Sequence, residues 1–211
     1  MARDRTFAAQ IGKRRSIRRY RPAPIAPAKI KRLLAAATRA PSAHNRQPWR
    51  FAVLADAESK SRLAAAMGAR LRRDRMADGD PIAAIEADVA RSHARITGAP
   101  VVIVVCIDLA DMDKYPDQRR SDAEYVMAVQ STAMAAENLL LAAHGEGLGA
   151  CVMCAPLFCP DTVIAALDLP AGWQPQMLLT LGAPAVPGKE RPRLSLDEVT
   201  WWAVTPPSGA A

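Results

Sequence analysis

The sequence predicts an α+β fold, a sheet with helices packed against it. Three observations support this: an unbroken apolar β-branched run VVIVVCI at 101–107, amphipathic helical patterns on both sides of it, and an element order that is mixed rather than a clean βαβ alternation. The chain has 211 residues, half of them apolar, which suits one domain (1–211) with a sizeable core and excludes disorder as its overall state. No repeat or low-complexity linker divides it. No apolar stretch in the sequence approaches the roughly 18 residues that cross a bilayer. The N-terminus MARDRTFAAQ has no apolar signal core, and the four cysteines are too few and too clustered for a secreted disulfide framework. The expectation is a soluble, cytoplasmic protein with no membrane partner.

In chain order, Pro27–Ala40 places Ile30, Leu33, Leu34 and Ala37 at helical spacing, with Pro27 in the first turn and Pro41 ending the helix. WRFAVL after Pro48 is a short strand, and Glu58–Met76 an exposed, Arg-rich helix. Ala83–Ile96 is another helix. VVIVVCI reads as a central strand covered on both faces. Asp122–His144 is the longest helical pattern, apolar on most sides, which predicts burial within the protein or between two subunits. Its Met127 and Met134 read as core filling. Gly145, Gly147 and Gly149 stop it and lead into a strand ACVMCA, then a short helix from Pro160 through Leu167. Gln176–Leu181 is the last clear strand. A loop over Gly182–Gly188 precedes ERPRLSLDEVTWW, which carries two arginines and an expected edge strand reaching Trp201 and Trp202.

Charge is local. Residues 1–50 hold fourteen Lys or Arg against Asp4 alone, a balance of +13, while the other 161 residues carry −6. Within that stretch Arg14-Arg15-Ser16-Ile17-Arg18-Arg19-Tyr20-Arg21 packs guanidiniums around a hydroxyl, a donor set suited to phosphate, although a solvated basic loop or a polynucleotide surface would show the same run. A nucleic-acid-binding module leaves the aromatics scarce, at 5% of residues, for stacking on bases. The second signal, Ala40-Pro41-Ser42-Ala43-His44-Asn45-Arg46-Gln47-Pro48-Trp49, sits between a helix end and a strand start. Prolines flank directional donors and acceptors that suit the polar edge of a planar ring, and ordinary turn chemistry is the bland alternative.

Two apparent motifs carry less. Cys151-x-x-Cys154 on a strand would send its sulfurs to opposite faces, which argues against a shared metal or disulfide, and His44, His93 and His144 are too scattered for a metal triad. Gly145-x-Gly-x-Gly149 follows a helix and precedes a strand, the reverse of a dinucleotide-binding context.

RRSIRRY, APSAHNRQPWRF, EGLGACVM after a long apolar helix and the late RPR together resemble the FMN-dependent nitroreductase family over about residues 11–202. YPDQRRSDAEYVMAVQ and EGLGACVMCAPLFCPDTVIAALDLPAGWQP are most similar to the branch containing the nitroreductase-like C-terminal domain of the bacterial deazaflavin-coenzyme biosynthesis enzyme, a glutamate ligase. The resemblance implies a nitroreductase-like sheet in an intertwined homodimer with two FMN molecules at the subunit interface. It places phosphate and ribityl contacts on Arg14, Arg15, Ser16, Arg18, Arg191 and Arg193. Pro41, Ser42 and Asn45 of the other subunit lie against the flavin, with Gln47 and Trp49 supporting them. Met153, Cys154 and Ala155 present backbone N–H groups to the ring nitrogen that accepts hydride, with Cys154-Ala155 replacing the Glu-Gly of the best-known nitroreductases. The implied activity is ping-pong electron transfer from transient NAD(P)H to an electron-poor small molecule such as a nitroaromatic or quinone. The alternatives are reduction of a deazaflavin coenzyme or its precursor, and non-reductive flavin chemistry.

Overall fold

The computed structural model describes residues 2–203, with side chains from residue 7 onward. Four antiparallel strands, β1 (Trp49–Leu54), β2 (Val101–Ile107), β3 (Gly149–Met153) and β4 (Gln174–Gly182), lie in the order β1-β2-β4-β3. β2 is central and every one of its residues is buried, as an unbroken apolar run requires. Its odd-numbered residues Val101, Ile103 and Val105 join one core layer and its even-numbered Val102, Val104 and Cys106 the other, because successive side chains alternate across a sheet.

The first layer is closed by α2 (Pro27–Ala37) and α5 (Gln118–Gly145). They contribute Ile30 and Leu33 from the former and Ala135, Leu139 and Ala143 from the latter. α3 (Ala57–Ala77), α4 (Ile82–Thr97) and α6 (Pro160–Leu167) close the second with Leu63, Met67, Ile96 and Val163. Fully buried leucines such as Leu33, Leu63, Leu139 and Leu179 each contribute about 1.5–3 kcal/mol through burial alone. By length and composition α5 could also cross a membrane. Its buried stripe packs on the sheet, and its other face carries Glu137, Gln130 and Asp122.

Several expectations are corrected. An unforeseen helix, α1 (Ala2–Lys13), precedes the arginine run. The expected ACVMCA strand ends at Met153, and Cys154 caps a 3-10 turn over Ala155–Phe158. ERPRLSLDEVTWW contains no strand: Ser195 and Glu198 form a reciprocal capping box that starts a short helix, α7 (Leu196–Val199), and leaves Trp201 and Trp202 exposed. Met134 is 41% exposed, so it is not core filling within the protomer.

Candidate functional site

After α1 the arginine run meets the start of β3 at Ala150 and then pairs with Ala183–Ala185, just beyond the end of β4. Ser16 bridges Ala150 in parallel, Ile17 N donates to Ala150 O at 2.9 Å, Arg21 N donates to Ala183 O at 2.8 Å and Ala185 N donates to Arg19 O at 3.0 Å. The run therefore occupies an edge that would otherwise expose unpaired backbone groups. Two glycines let it approach so closely: a Cβ on Gly149 would lie 2.6 Å from Ile17 Cβ, and one on Gly188 would lie 2.3 Å from Arg15 Cβ. The half-buried Tyr20 hydroxyl pins the end of the segment, 2.9 Å from the carbonyl of Thr180 and 2.8 Å from its hydroxyl. Burial raises the Tyr20 pKa well above its ordinary value, so the phenol is neutral throughout the physiological range.

Arg15, Ser16, Arg18, Arg191 and Arg193 line one cavity of about 710 Å³, together with Arg19, Lys189 and Glu190. Residues from the two ends of the chain thus meet in one cationic cradle. Glu190 pairs with Arg15 at 2.7 Å, and Arg18, Arg191 and Arg193 have no ion-pair partner among the described residues. Arg14 is the exception to the expected cluster. Its backbone N still bonds to Gln10 O, so its side chain follows the end of α1 towards α5, where it lies 3.7 Å from Glu137. It lines a neighbouring cavity of about 360 Å³ with Lys13, His144 and Leu148. Lys189 and Glu190 went unassigned in the sequence, although they sit directly before the Arg191-Pro192-Arg193 triplet that marked this wall.

The cradle lies beside the start of β3, and Met153, Cys154 and Ala155 lie at its other end. The four steps from Gly149 to Met153 cover about 13 Å at about 3.3 Å each. Cys154 is exposed, whereas Cys151 and Cys159 are buried, and no cluster of metal-binding side chains occurs among the described residues. Burial pushes the Cys106 thiol up to about 12 and also raises Cys159, so neither supplies thiolate at neutral pH.

The Pro41–Gln47 loop enters β1, at the opposite edge of the sheet, three inter-strand spacings or about 14 Å from β3. Within one protomer it lines none of the cavities that hold the arginines. Its shape is tightly determined. His44, Asn45 and Gln47 hold φ of 49°, 55° and 48°, Gln47 N donates to Ser42 Oγ at 3.0 Å, and Ala43 N donates to Ser131 Oγ of α5 at 3.2 Å. Asn45 and Gln47 are exposed with their amides 3.4 Å apart, Pro41 is exposed, and Trp49 is buried beneath the loop. Left-handed backbone at three non-glycine residues in four is costly and persists where surrounding structure enforces it.

Part of the early positive charge is held in ion pairs with later carboxylates: Arg14 meets Glu137, Arg15 meets Glu190, Lys29 and Arg32 meet Glu146, Arg46 meets Asp113 and Arg50 meets Asp108. Of the early arginines with no such partner among the described residues, Arg18 and Arg19 line the cradle.

A four-stranded antiparallel sheet flanked by helices, with a cationic cradle on one edge and a constrained polar loop on the other, is the architecture of a nitroreductase-like oxidoreductase. The nitroreductase family profile matches residues 11–183, and the chain belongs to that family. It is 32% identical to an NADH dehydrogenase from Thermus thermophilus over 90% of this chain and 92% of that protein. It is equally 32% identical to a 5,6-dimethylbenzimidazole synthase from Rhodospirillum rubrum, over 92% of this chain and 87% of the relative. Among solved structures it is similar to a nitroreductase from Desulfovibrio desulfuricans in complex with FMN, with a TM-score of 0.72 and 27% identity over 95% of this chain and 98% of that one.

Proposed function

We propose that the protein is an FMN-dependent oxidoreductase that takes electrons from NAD(P)H and delivers them, in a ping-pong order, to an electron-poor small molecule such as a nitroaromatic or a quinone. The observation that carries this reading is the convergence of Arg15, Ser16, Arg18, Arg191 and Arg193 on one cavity beside β3. The donor set fits the cofactor. A phosphate dianion takes paired guanidinium donors and a short hydroxyl, and about 13 Å of strand edge separates that end from Met153–Ala155, room for a ribityl chain leading to a tricyclic ring. Bound FMN supplies the hydride and single-electron chemistry.

The chain's own residues bind, orient and exclude water. Backbone N–H groups of the Cys154–Ala155 turn would hold the ring, and Arg14, which lines the neighbouring cavity, would extend the cationic wall beside the phosphate. Pro41, Ser42 and Asn45, braced by Gln47 and Trp49, reach the flavin of a second copy. One protomer keeps loop and cradle at opposite sheet edges, so a homodimer completes each site, and residues 1–211 act as one cytoplasmic FMN-binding domain.

The purified protein is expected to be yellow, to bleach anaerobically under NADH or NADPH, and to regain colour with a nitroaromatic or quinone. Arg18→Ala is expected to weaken FMN retention at least about tenfold without unfolding the chain. A colourless protein that cannot be reconstituted with FMN overturns the assignment. Adding the deazaflavin coenzyme as acceptor tests the finer branch likeness. Product analysis of the reduced flavin under oxygen tests the non-reductive alternative, in which the flavin itself is cleaved.

A further inference from the structure

A second cavity, of about 590 Å³, opens on the other side of Arg18 and Arg19. It is lined by those two residues, Tyr20, and Arg91, Ala94, Arg95 and Gly98 from the end of α4. Four of its seven lining residues are arginines and none is acidic. Arg91 touches Asp88, but that carboxylate is shared with Arg75, and Arg18, Arg19 and Arg95 have no ion-pair partner among the described residues.

Both walls are fixed. The Arg18–Tyr20 wall is tied to the sheet through Arg19 O, Arg21 N and the Tyr20 hydroxyl. The α4 wall is held by the fully buried Ile96 and by Lys60, whose buried ammonium donates to Ala99 O at 2.7 Å and Pro100 O at 3.2 Å. With both backbones fixed, these arginine side chains share one cleft that holds no carboxylate, an excess of positive charge that a multiply charged oxyanion neutralises.

We infer that this cleft is an oxyanion site, distinct from the flavin cradle, that takes the phosphoryl or pyrophosphoryl group of a second small molecule. Planar guanidiniums offer phosphate oxygens paired donors, and with Arg18 given to the flavin phosphate the cleft still keeps Arg19, Arg91 and Arg95 for a multiply charged oxyanion. Arg18 and Arg19 stand between the two cavities, whereas Arg91 and Arg95 line only this one, and the assignment rests on them.

The test is calorimetric titration of the FMN-loaded protein with inorganic pyrophosphate, at fixed ionic strength, against the doubly substituted R91Q/R95Q protein. Pyrophosphate is expected to bind the parent and to bind the variant about tenfold or more weakly, with FMN content and melting temperature unchanged and with R91K/R95K falling between. Two sources of the phosphoryl group are separated by steady-state kinetics. A rise in KM for NADPH but not NADH in the variant identifies the 2′-phosphate of the donor. Unchanged KM for both, with pyrophosphate affinity still lost, identifies a different phosphorylated ligand. Equal pyrophosphate affinity in parent and variant, or no binding to the parent, overturns the inference. So does a variant whose only change is weaker subunit association, which would assign the arginines to carboxylates of the partner. The same titration of protein purified without flavin is expected to give the same contrast between parent and R91Q/R95Q, so failure of the flavin reading alone leaves the pyrophosphate result standing.

Discussion

At the scale of single residues, Tyr20 joins stability to the placement of the arginines. Its hydroxyl contacts Thr180 from a half-buried position, and burial raises its pKa. In the unfolded chain the same phenol ionises near its ordinary value of about 10. Below that pH the group is neutral in both states and its stabilising contribution is complete. As pH rises above about 10 the unfolded state releases the proton first, so stability falls through the interval up to the raised folded value. Denaturant melts across this range should show an alkaline loss that Tyr20→Phe lessens. At neutral pH Tyr20→Phe should cost about 1–2 kcal/mol, because it removes the phenolic partner of Thr180. A variant with the parent's alkaline slope would show that Tyr20 is not the group responsible.

At the scale of elements, the Pro41–Gln47 loop stores strain. Gln47 holds φ of 48° immediately before Pro48, a position where the proline ring also restricts the preceding backbone. Gln47→Gly should therefore raise the unfolding midpoint modestly, by up to about 1 kcal/mol, and Gln47→Val should lower it by more than that. Thermal denaturation of the two variants side by side checks the opposite signs.

This loop also shows what the sequence conceals. Its prolines and polar residues mark it as a fixed turn, but left-handed backbone at His44, Asn45 and Gln47 depends on the bond from Ala43 to Ser131, 88 residues away. β2 begins and ends where its apolar run does, because full burial leaves little choice of pattern, and the edge strand β1, half-buried, follows Pro48 directly. Arg14 departs from its neighbours because α1 continues through Lys13, and the exposed stripe of Phe7 and Ile11 gives that helix no core to announce it. At the C-terminal end, the β-branched and aromatic content of Val199–Trp202 suggested a strand. The Ser195–Glu198 capping box was present in the same stretch and is the signal that prevailed.

At the scale of the whole molecule, apolar side chains lie uncovered on several elements. α5 exposes Tyr125, Val126 and Met134, and α1 and the C-terminal segment expose Phe7, Leu194, Leu196 and Trp201. Exposed apolar patches of this kind mark association surfaces. If α5 is the seam between two copies, Met134→Arg should shift the protein towards monomer and strip FMN with it, both visible in sedimentation velocity recorded at a flavin wavelength. A variant that sediments and absorbs like the parent would place the seam elsewhere.

Arg15 and Glu190 meet across 175 residues of sequence. On the ribosome the first of these emerges long before the second exists, so a nascent chain can shape its sheet before the C-terminal wall of the cradle, with Arg191 and Arg193, is in place. If that cradle grips a flavin phosphate as proposed, pigmentation follows translation rather than accompanying it, and a message cut short before codon 191 would yield a pale product.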